Sequence, residues 1–259
     1  MLKVRVIPTL LWKDLGLVKG VGFNAWRRVG TVLPAIKVYN RREVDEMILV
    51  DIMASREGSR FDHESLNDFA DECFVPLTVG GGVASVEDVR LLLRSGADKV
   101  CLNSAAYGDS GLVSKAAAEF GSQCIVASID ARRHENGKHE CFSHAGTRAT
   151  SRNPVEWAGE MEARGAGEIL LTSTDRDGTM AGYDLDLIKS VTSAVNIPVI
   201  ASGGCGHYGH MIEAVRDAGA SAVAAASIFH FTEQTPREAK LALAQAGIAV
   251  RMAYTPGRA

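Results

Sequence analysis

Eight short apolar runs, separated by amphipathic stretches, constrain the fold of this chain more than any other feature. Most of the runs are rich in Val, Ile and Leu without polar alternation, which is typical of parallel strands covered on both faces. The predicted strands are Val4–Leu10, Met47–Asp51, Pro76–Val79, Lys99–Asn103, Cys124–Asp130, Ile169–Thr172, Pro198–Ser202 and Ala222–Ala226. The clearest helical patterns between them are Ser85–Ser95, Asn153–Arg164, Leu185–Ser193 and Pro236–Gln245.

The alternation runs through the sequence without a linker, so it predicts an α/β fold with a single (β/α)8 TIM barrel over residues 1–259. An open, doubly wound sheet is the alternative. That fold usually has fewer strand–helix units and one glycine-rich turn near its start, whereas the glycine-rich turns here come late and in a pair.

The two halves of the chain repeat one another. Val79-Gly80-Gly81-Gly82-Val83 follows the third strand and Ser202-Gly203-Gly204-Cys205-Gly206 follows the seventh, a displacement of 122 residues from Gly82 to Gly204. The segments after the fourth and eighth strands are displaced by 123 residues, from Ser104 to Ser227. Two features displaced by almost the same length predict two homologous half-barrels.

Each glycine-rich turn predicts a phosphate-binding cradle, because glycine lets backbone N–H groups approach an anion closely at a barrel mouth. The first cradle is predicted from Gly81, Gly82, Asn103 and Ser104, and the second cradle from Gly203, Gly204, Ala226 and Ser227. The alternative is that both are ordinary tight turns. Two cradles at one mouth predict a long substrate with an anionic group at each end.

Several aspartates follow predicted strands at the carboxyl end, where barrel enzymes place their chemistry. Asp51, Asp130, Asp175 and Asp177 are in this position. Such a carboxylate can transfer a proton or hold a substrate hydroxyl. It can also be a structural group bonded to loop amides, an interpretation that fits Asp175 better than Asp130.

Composition excludes several classes of protein. The net charge is −3, the sequence pI is about 6.2 and no basic run is longer than a pair, so no nucleic-acid partner is expected. No apolar run approaches the roughly 18 residues of a membrane span, and the N-terminus lacks the features of a signal peptide. Five cysteines without a CxxC pair predict reduced thiols in a cytoplasmic protein. His207 and His210 lack a suitably spaced third ligand, so we expect no metal.

The chain resembles the cyclase subunit family of imidazole glycerol phosphate synthase (HisF) over nearly its whole length. The motifs that carry the resemblance are VGGGV (79–83), GADKVCLNSAA (96–106), FGSQCIVASIDARR (120–133), RGAGEILLTSTDRDGTMAGYD (164–184), PVIASGG (198–204) and AAASIFHF (224–231). The resemblance implies no cofactor. It implies that ammonia from a glutaminase partner passes along the barrel axis and attacks a bis-phosphate nucleotide, PRFAR, giving imidazole glycerol phosphate and AICAR.

The resemblance also implies roles for individual residues. Asp130 matches the fifth-strand catalytic acid, Lys19 the loop lysine and Asp51 the strand-two aspartate, while Asp177 and Gly178 join the phosphate site. Four residues match a charged ring that gates the ammonia passage at the amino-terminal mouth. These are Arg5, Glu46, Lys99 and Glu168, and Asp98 matches a position used against the glutaminase. A charged ring could equally be a plain stabilising network.

The chain departs from the family at the first strand, where Leu11 occupies the position of the other catalytic aspartate. Leucine cannot exchange a proton, and Asp14 is a poor substitute three residues further along. Trp12, Trp26 and the pair Arg27-Arg28 fall in a long first loop that we expect to close over the ligand.

Leu11 and the opening segment from Arg5 to Lys19 resemble a paralogous branch linked to sugar amidation in surface-polysaccharide biosynthesis. The sequence therefore favours an ammonia-dependent synthase acting on a phosphorylated or nucleotide-linked sugar, with a glutaminase and in some cases a sugar-activating enzyme as partners. One alternative is the histidine-pathway cyclase itself. Another is a scaffold without catalysis that activates the glutaminase and delivers ammonia. A related isomerase, which needs no glutaminase, also relies on the missing aspartate.

Overall fold

A computed structural model describes residues 3–252 and shows a closed, eight-stranded parallel barrel surrounded by helices, a (β/α)8 TIM barrel. Each barrel strand is hydrogen-bonded in parallel to two neighbours, and the first strand pairs with the last, Arg5 lying opposite Ala222. The barrel strands are β1 (Arg5–Lys13), β4 (Met47–Asp51), β5 (Leu77–Gly80), β6 (Lys99–Leu102), β7 (Ile125–Arg133), β10 (Glu168–Ser173), β11 (Val199–Ser202) and β12 (Ala222–Ala225). The eight predicted strands are thus confirmed, with ends that differ by a few residues.

Two additional pieces of antiparallel structure lie at the carboxyl ends of β1 and β7, where the sequence predicted loops. The strands β2 (Gly16–Val21) and β3 (Asn24–Gly30) form a hairpin that continues β1. The strands β8 (His139–Ser143) and β9 (Arg148–Ala149) continue β7. Both additions lie at the mouth that carries the predicted site, so they determine what covers it.

The helices alternate with the strands along the chain. They are α1 (Val32–Arg41), α2 (Ala54–Glu57), α3 (His63–Asp71), α4 (Val86–Arg94), α5 (Ser104–Gly108), α6 (Gly111–Phe120), α7 (Pro154–Ala163), α8 (Leu185–Thr192), α9 (Tyr208–Arg216), α10 (Ser227–Phe231) and α11 (Pro236–Gln245). The Ser85 hydroxyl caps α4 by accepting the Asp88 N–H at 3.1 Å, and Thr235 and Glu238 form a capping box on α11. None of the helices in the described range is long and apolar enough to cross a membrane.

Two apolar clusters hold the barrel together. The larger cluster lies between the strands and the helices, and Trp12 belongs to it. Trp12 is the penultimate residue of β1 and is 5% exposed, with its ring 4.9 Å from that of Phe61 and 5.6 Å from that of Phe69. The expectation that Trp12 lies in a loop over the ligand is wrong, because β1 extends further than its apolar run and turns this side chain outward.

The smaller cluster fills the interior of the barrel. It contains Ile7, Ile48, Cys101, Val126, Leu170, Ile200, Ala222 and Ala224. On β1, every second residue faces the same side, so Arg5, Ile7, Thr9 and Leu11 follow one another along the barrel axis. This single strand therefore contributes to the amino-terminal end of the barrel, to its apolar interior and to the carboxyl-terminal mouth.

Candidate functional site

One open cavity occupies the carboxyl-terminal mouth and contains both predicted cradles; its volume is about 1200 Å³ when the solvent space at its opening is included. The predicted residues that line it are Leu11, Asp51, Gly81, Gly82, Asn103, Ser104, Asp130, Asp177, Gly203, Gly204, Ala226 and Ser227. Among residues 3–252, no lysine or arginine lines this cavity. Anionic groups would therefore be held by backbone N–H groups and hydroxyls.

The first cradle joins the end of β5 to the start of α5. Gly81 and Gly82 have φ angles of +113° and +69°, which favour glycine. A Cβ atom on Gly82 would lie 2.2 Å from the carbonyl oxygen of Ser59, so the turn has no room for a side chain. The hydroxyl of Ser104 accepts a hydrogen bond from the His144 N–H at 2.9 Å. The turn after β8 therefore rests directly on this cradle.

The second cradle joins the end of β11 to the start of α10. Gly203 and Gly204 have φ angles of +90° and +104°. A Cβ atom on Gly204 would lie 2.2 Å from the carbonyl oxygen of Gly182. Ser227 is buried at the first position of α10. The two glycine turns thus occupy corresponding positions, after β5 and β11, which agrees with the predicted half-barrel repeat.

Asp130 lies in β7 at the floor of the cavity and is 8% exposed. The Nδ2 group of Asn103 donates to its Oδ2 atom at 2.8 Å. Burial raises the pKa of Asp130 to about 7; the Asn103 hydrogen bond opposes this shift and the charge of Asp177 adds to it. A carboxyl group that titrates near neutral pH can both accept and return a proton, so Asp130 is suited to acid–base chemistry.

Lys19 belongs to the hairpin formed by β2 and β3, and Asp177 lies beside that hairpin. Lys19 is a β2 residue, 2% exposed, and its Nζ atom donates to the carbonyl oxygen of Thr9 at 3.1 Å. Burial lowers the pKa of Lys19 to about 8, against the opposing charge of Asp177. Burial also raises the pKa of Asp177, against the opposing effects of Lys19 and of a hydrogen bond from the Phe23 N–H.

Gly178 differs from its predicted place in the phosphate site. It lies outside the cavity lining, and a Cβ atom there would be 2.0 Å from the carbonyl oxygen of Gly20. The neighbouring Asp177 carbonyl accepts the Gly22 N–H at 2.9 Å. This segment after β10 therefore packs against the hairpin backbone and holds it over the mouth.

Leu11 and Asp51 come from neighbouring strands. Leu11 lines the cavity opposite Val50 in the β1–β4 ladder, and so presents an apolar wall at the position where the family resemblance predicted a carboxylate. The Oδ1 atom of Asp51 accepts the N–H groups of Met53 and Ala54 at 2.8 and 3.1 Å. Asp51 therefore has a structural function at the start of α2, in addition to its place in the cavity wall.

The predicted charged ring forms at the amino-terminal end of the barrel. Arg5 pairs with Glu46 and, at 2.8 Å, with Glu168; Lys99 pairs with Glu46 and, at 2.9 Å, with Glu168. Acids and bases alternate around the axis, so each charge has two opposite neighbours. The apolar interior cluster separates this ring from the cavity floor. Nearby, the exposed Asp98 uses its Oδ2 atom to accept the Leu77 N–H at 2.8 Å.

Comparison with known proteins identifies the family. A model described as "Histidine biosynthesis protein" matches residues 5–235. The chain belongs to this family. It is also 53% identical, over 251 residues, to the imidazole glycerol phosphate synthase subunit HisF of Hyphomonas neptunium (strain ATCC 15444). That match covers 97% of this chain and 99% of the relative, so the chain is a HisF-like member of the histidine biosynthesis family.

Some residues at the mouth of this HisF-like chain were missed by sequence reasoning. At the cavity rim, Arg56 donates to two carbonyls of the turn from His144 to Gly146, and Arg132 donates to a third. The same turn packs against the hairpin. The sequence shows no signal for Arg56, since a single arginine in a four-residue helix has no distinctive spacing. The turn could have been suspected from Gly146, but its neighbours are residues that rarely adopt a left-handed conformation.

Proposed function

We propose that this chain is the cyclase subunit of an imidazole glycerol phosphate synthase, which converts PRFAR and ammonia to imidazole glycerol phosphate and AICAR. The observation that carries the proposal is that one cavity contains a glycine cradle at each of two corresponding positions together with the buried Asp130. A substrate with a phosphate at each end matches that arrangement.

The 53% identity to a HisF protein, over nearly the full length of both chains, favours this function over the sugar-amidation branch that Leu11 and the opening segment predicted. In the proposed reaction, Asp130 transfers protons at the reacting centre. Its Asn103 hydrogen bond orients the carboxylate, and the hairpin that contains Lys19 excludes water from the mouth. A glutaminase partner supplies ammonia through the charged ring and the apolar interior.

Leu11 supports a second candidate, the scaffold that delivers ammonia to another enzyme. The charged ring is complete while one of the family's two catalytic carboxylates is absent. The scaffold needs the ring and has no need for proton transfer in the cavity. The two candidates therefore differ in whether Asp130 is required for turnover.

The test supplies the purified chain with PRFAR and an ammonium salt and follows the loss of PRFAR absorbance. We expect turnover that falls by roughly two to four orders of magnitude in Asp130→Asn. Equal turnover in Asp130→Asn and in the natural chain would show that Asp130 does not transfer protons in the reaction. An absence of turnover in the natural chain, together with stimulation of a glutaminase partner, would support the scaffold.

A further inference from the structure

Arg56 connects three parts of the cavity rim. It lies on α2, the helix whose first residue, Ala54, donates its N–H group to Asp51. Its Nη2 group donates to the carbonyl of Ala145 at 2.7 Å, and its Nε group donates to the carbonyl of His144 at 3.3 Å. Its guanidinium carbon also lies 5.0 Å from the centroid of the Trp26 ring. One side chain thus contacts both the turn after β8 and the hairpin.

The turn that Arg56 holds has an unfavourable backbone conformation. His144 and Ala145 both have φ angles of +51°, and Gly146 follows at +75°. Non-glycine residues in this region cost on the order of 1 kcal/mol or more each, so neighbouring contacts must hold them. Arg132 adds a bond to the Gly146 carbonyl at 3.2 Å, and Ser104 of the first cradle accepts the His144 N–H. The strained turn is therefore fixed between two arginines and the first cradle.

The hairpin rests on the same turn. Trp26 lines the cavity and has a second cation, Lys13, with its Nζ atom 4.9 Å from the ring centroid. The ring of Phe23 lies so close to Gly146 that a Cβ atom there would be 3.0 Å from it. Cation–π contacts of this type are individually modest. In combination with the ring packing, they connect the position of the hairpin to that of the turn.

We propose that Arg56 is a positioning residue that holds the hairpin and the strained turn together over the first cradle, and so closes that end of the cavity around a phosphate group. The planar guanidinium suits this function because it donates in two directions and stacks on an aromatic face at once, which a lysine ammonium cannot do. The proposal rests on the proposed function only in taking a phosphate-bearing ligand; its structural part is independent of the reaction.

Hydrogen–deuterium exchange, followed by mass spectrometry, tests the coupling directly. In Arg56→Met we expect exchange to be about tenfold faster both in residues 16–30 and in residues 143–149, with the barrel strands unchanged. Arg56→Lys should behave like Arg56→Met. The matched control is Arg94→Met, which removes an exposed arginine from the outer helix α4 and should leave both segments unchanged.

Trp26→Ala removes the contact of Arg56 with the hairpin and leaves its contact with the turn after β8. Exchange should become faster in residues 16–30 and stay slow in residues 143–149, because the hydrogen bonds from Arg56 to the carbonyls of the turn remain. If Arg56→Met changes residues 143–149 alone, or changes neither segment, the proposal is wrong. The exchange rates can be measured whether or not the variants keep activity.

Ligand binding is probed with inorganic phosphate. Saturating phosphate should slow exchange in both segments of the natural chain, and this effect should be lost in Arg56→Met. Where PRFAR turnover is present, the KM for PRFAR should rise about tenfold with kcat changed less than about threefold. If PRFAR is not turned over at all, the proposed function fails, while the exchange and phosphate results still decide the function of Arg56.

Discussion

At the scale of single residues, the cavity combines one buried acid with an apolar side chain at the position where the family resemblance predicted a second acid. Asp130 is buried, oriented by Asn103 and has a pKa near neutral, whereas Leu11 presents a hydrocarbon surface to the same cavity. Because the barrel strand that carries Leu11 is otherwise regular, restoring a carboxylate requires no change of backbone. The second carboxylate that the family resemblance predicted is therefore accessible to a single substitution.

Leu11→Asp should raise kcat for PRFAR and ammonium by at least about tenfold, since it returns a second proton-transferring group to the cavity. Leu11→Asn is the matched control, because it has similar size and polarity without a titrating carboxyl. Steady-state rates at saturating ammonium measure the effect. Equal gains in both variants would show that cavity shape or polarity, and not proton transfer, limits the natural chain.

The pH dependence of kcat/KM should be bell-shaped. The ionised form of Asp130 increases as pH rises through about 7, and the protonated form of Lys19 is lost as pH rises through about 8. If the first acts as a base and the second as a cation, activity is highest between these values. Asp130→Asn should remove the acidic limb from the residual rate, and Lys19→Met the alkaline limb. If a limb of the pH profile persists in the variant that should remove it, another titrating group causes that limb.

At the scale of elements, the glycine turns are the parts that the sequence predicted best. Their matching displacement along the chain predicted the half-barrel repeat and their common position at one mouth, and glycine at a left-handed turn is a local requirement that the sequence shows directly. The hairpin of β2 and β3 was not predicted. The turn from β1 into β2 places Asp14 and Leu15 at positive φ, and the turn between β2 and β3 places Phe23 there as well, which contradicts the usual turn preferences for leucine and phenylalanine.

Gly204→Ala tests the second cradle. The added methyl group would lie 2.2 Å from the Gly182 carbonyl at a φ of +104°, so the turn must move. We expect phosphate affinity to fall at least tenfold and the free energy of unfolding to fall by about 1–3 kcal/mol. Calorimetry and chemical denaturation measure the two effects.

Gly159→Ala is the control for that substitution. Gly159 lies in α7 with nothing within 4 Å of the added atom, so alanine should leave phosphate binding unchanged and stabilise the helix by about 0.5–1 kcal/mol. Unchanged phosphate affinity in Gly204→Ala would show that this turn does not bind the anion.

At the scale of the whole molecule, the barrel has a charged amino-terminal end, an apolar interior and a polar mouth. The count of apolar runs predicted the barrel, and the family resemblance predicted the charged ring. The contacts at the rim could not be predicted, because Arg56 meets His144 and Trp26 only after three separate segments have folded against one another. Such long-range pairs have no counterpart in local spacing.

Glu46→Gln tests the ring as a passage. It leaves Arg5 and Lys99 sharing Glu168 alone, so the ring should loosen and the free energy of unfolding should fall by about 3 kcal/mol. With a glutaminase partner, glutamine-driven turnover should fall more than ammonium-driven turnover, because dissolved ammonia can enter from the mouth. Equal losses in the two assays would assign the ring a stabilising function only.

The absence of lysine and arginine from the described cavity lining has an evolutionary consequence. Recognition by main-chain amides does not depend on the identity of most side chains, so mutation can rarely remove it without disturbing the fold. Proton transfer, by contrast, depends on single side chains, and the apolar Leu11 lies where the family resemblance predicted one of them. Under the proposed function, a lineage built on this barrel can therefore continue to bind phosphorylated compounds while its chemistry changes, one strand-end residue at a time.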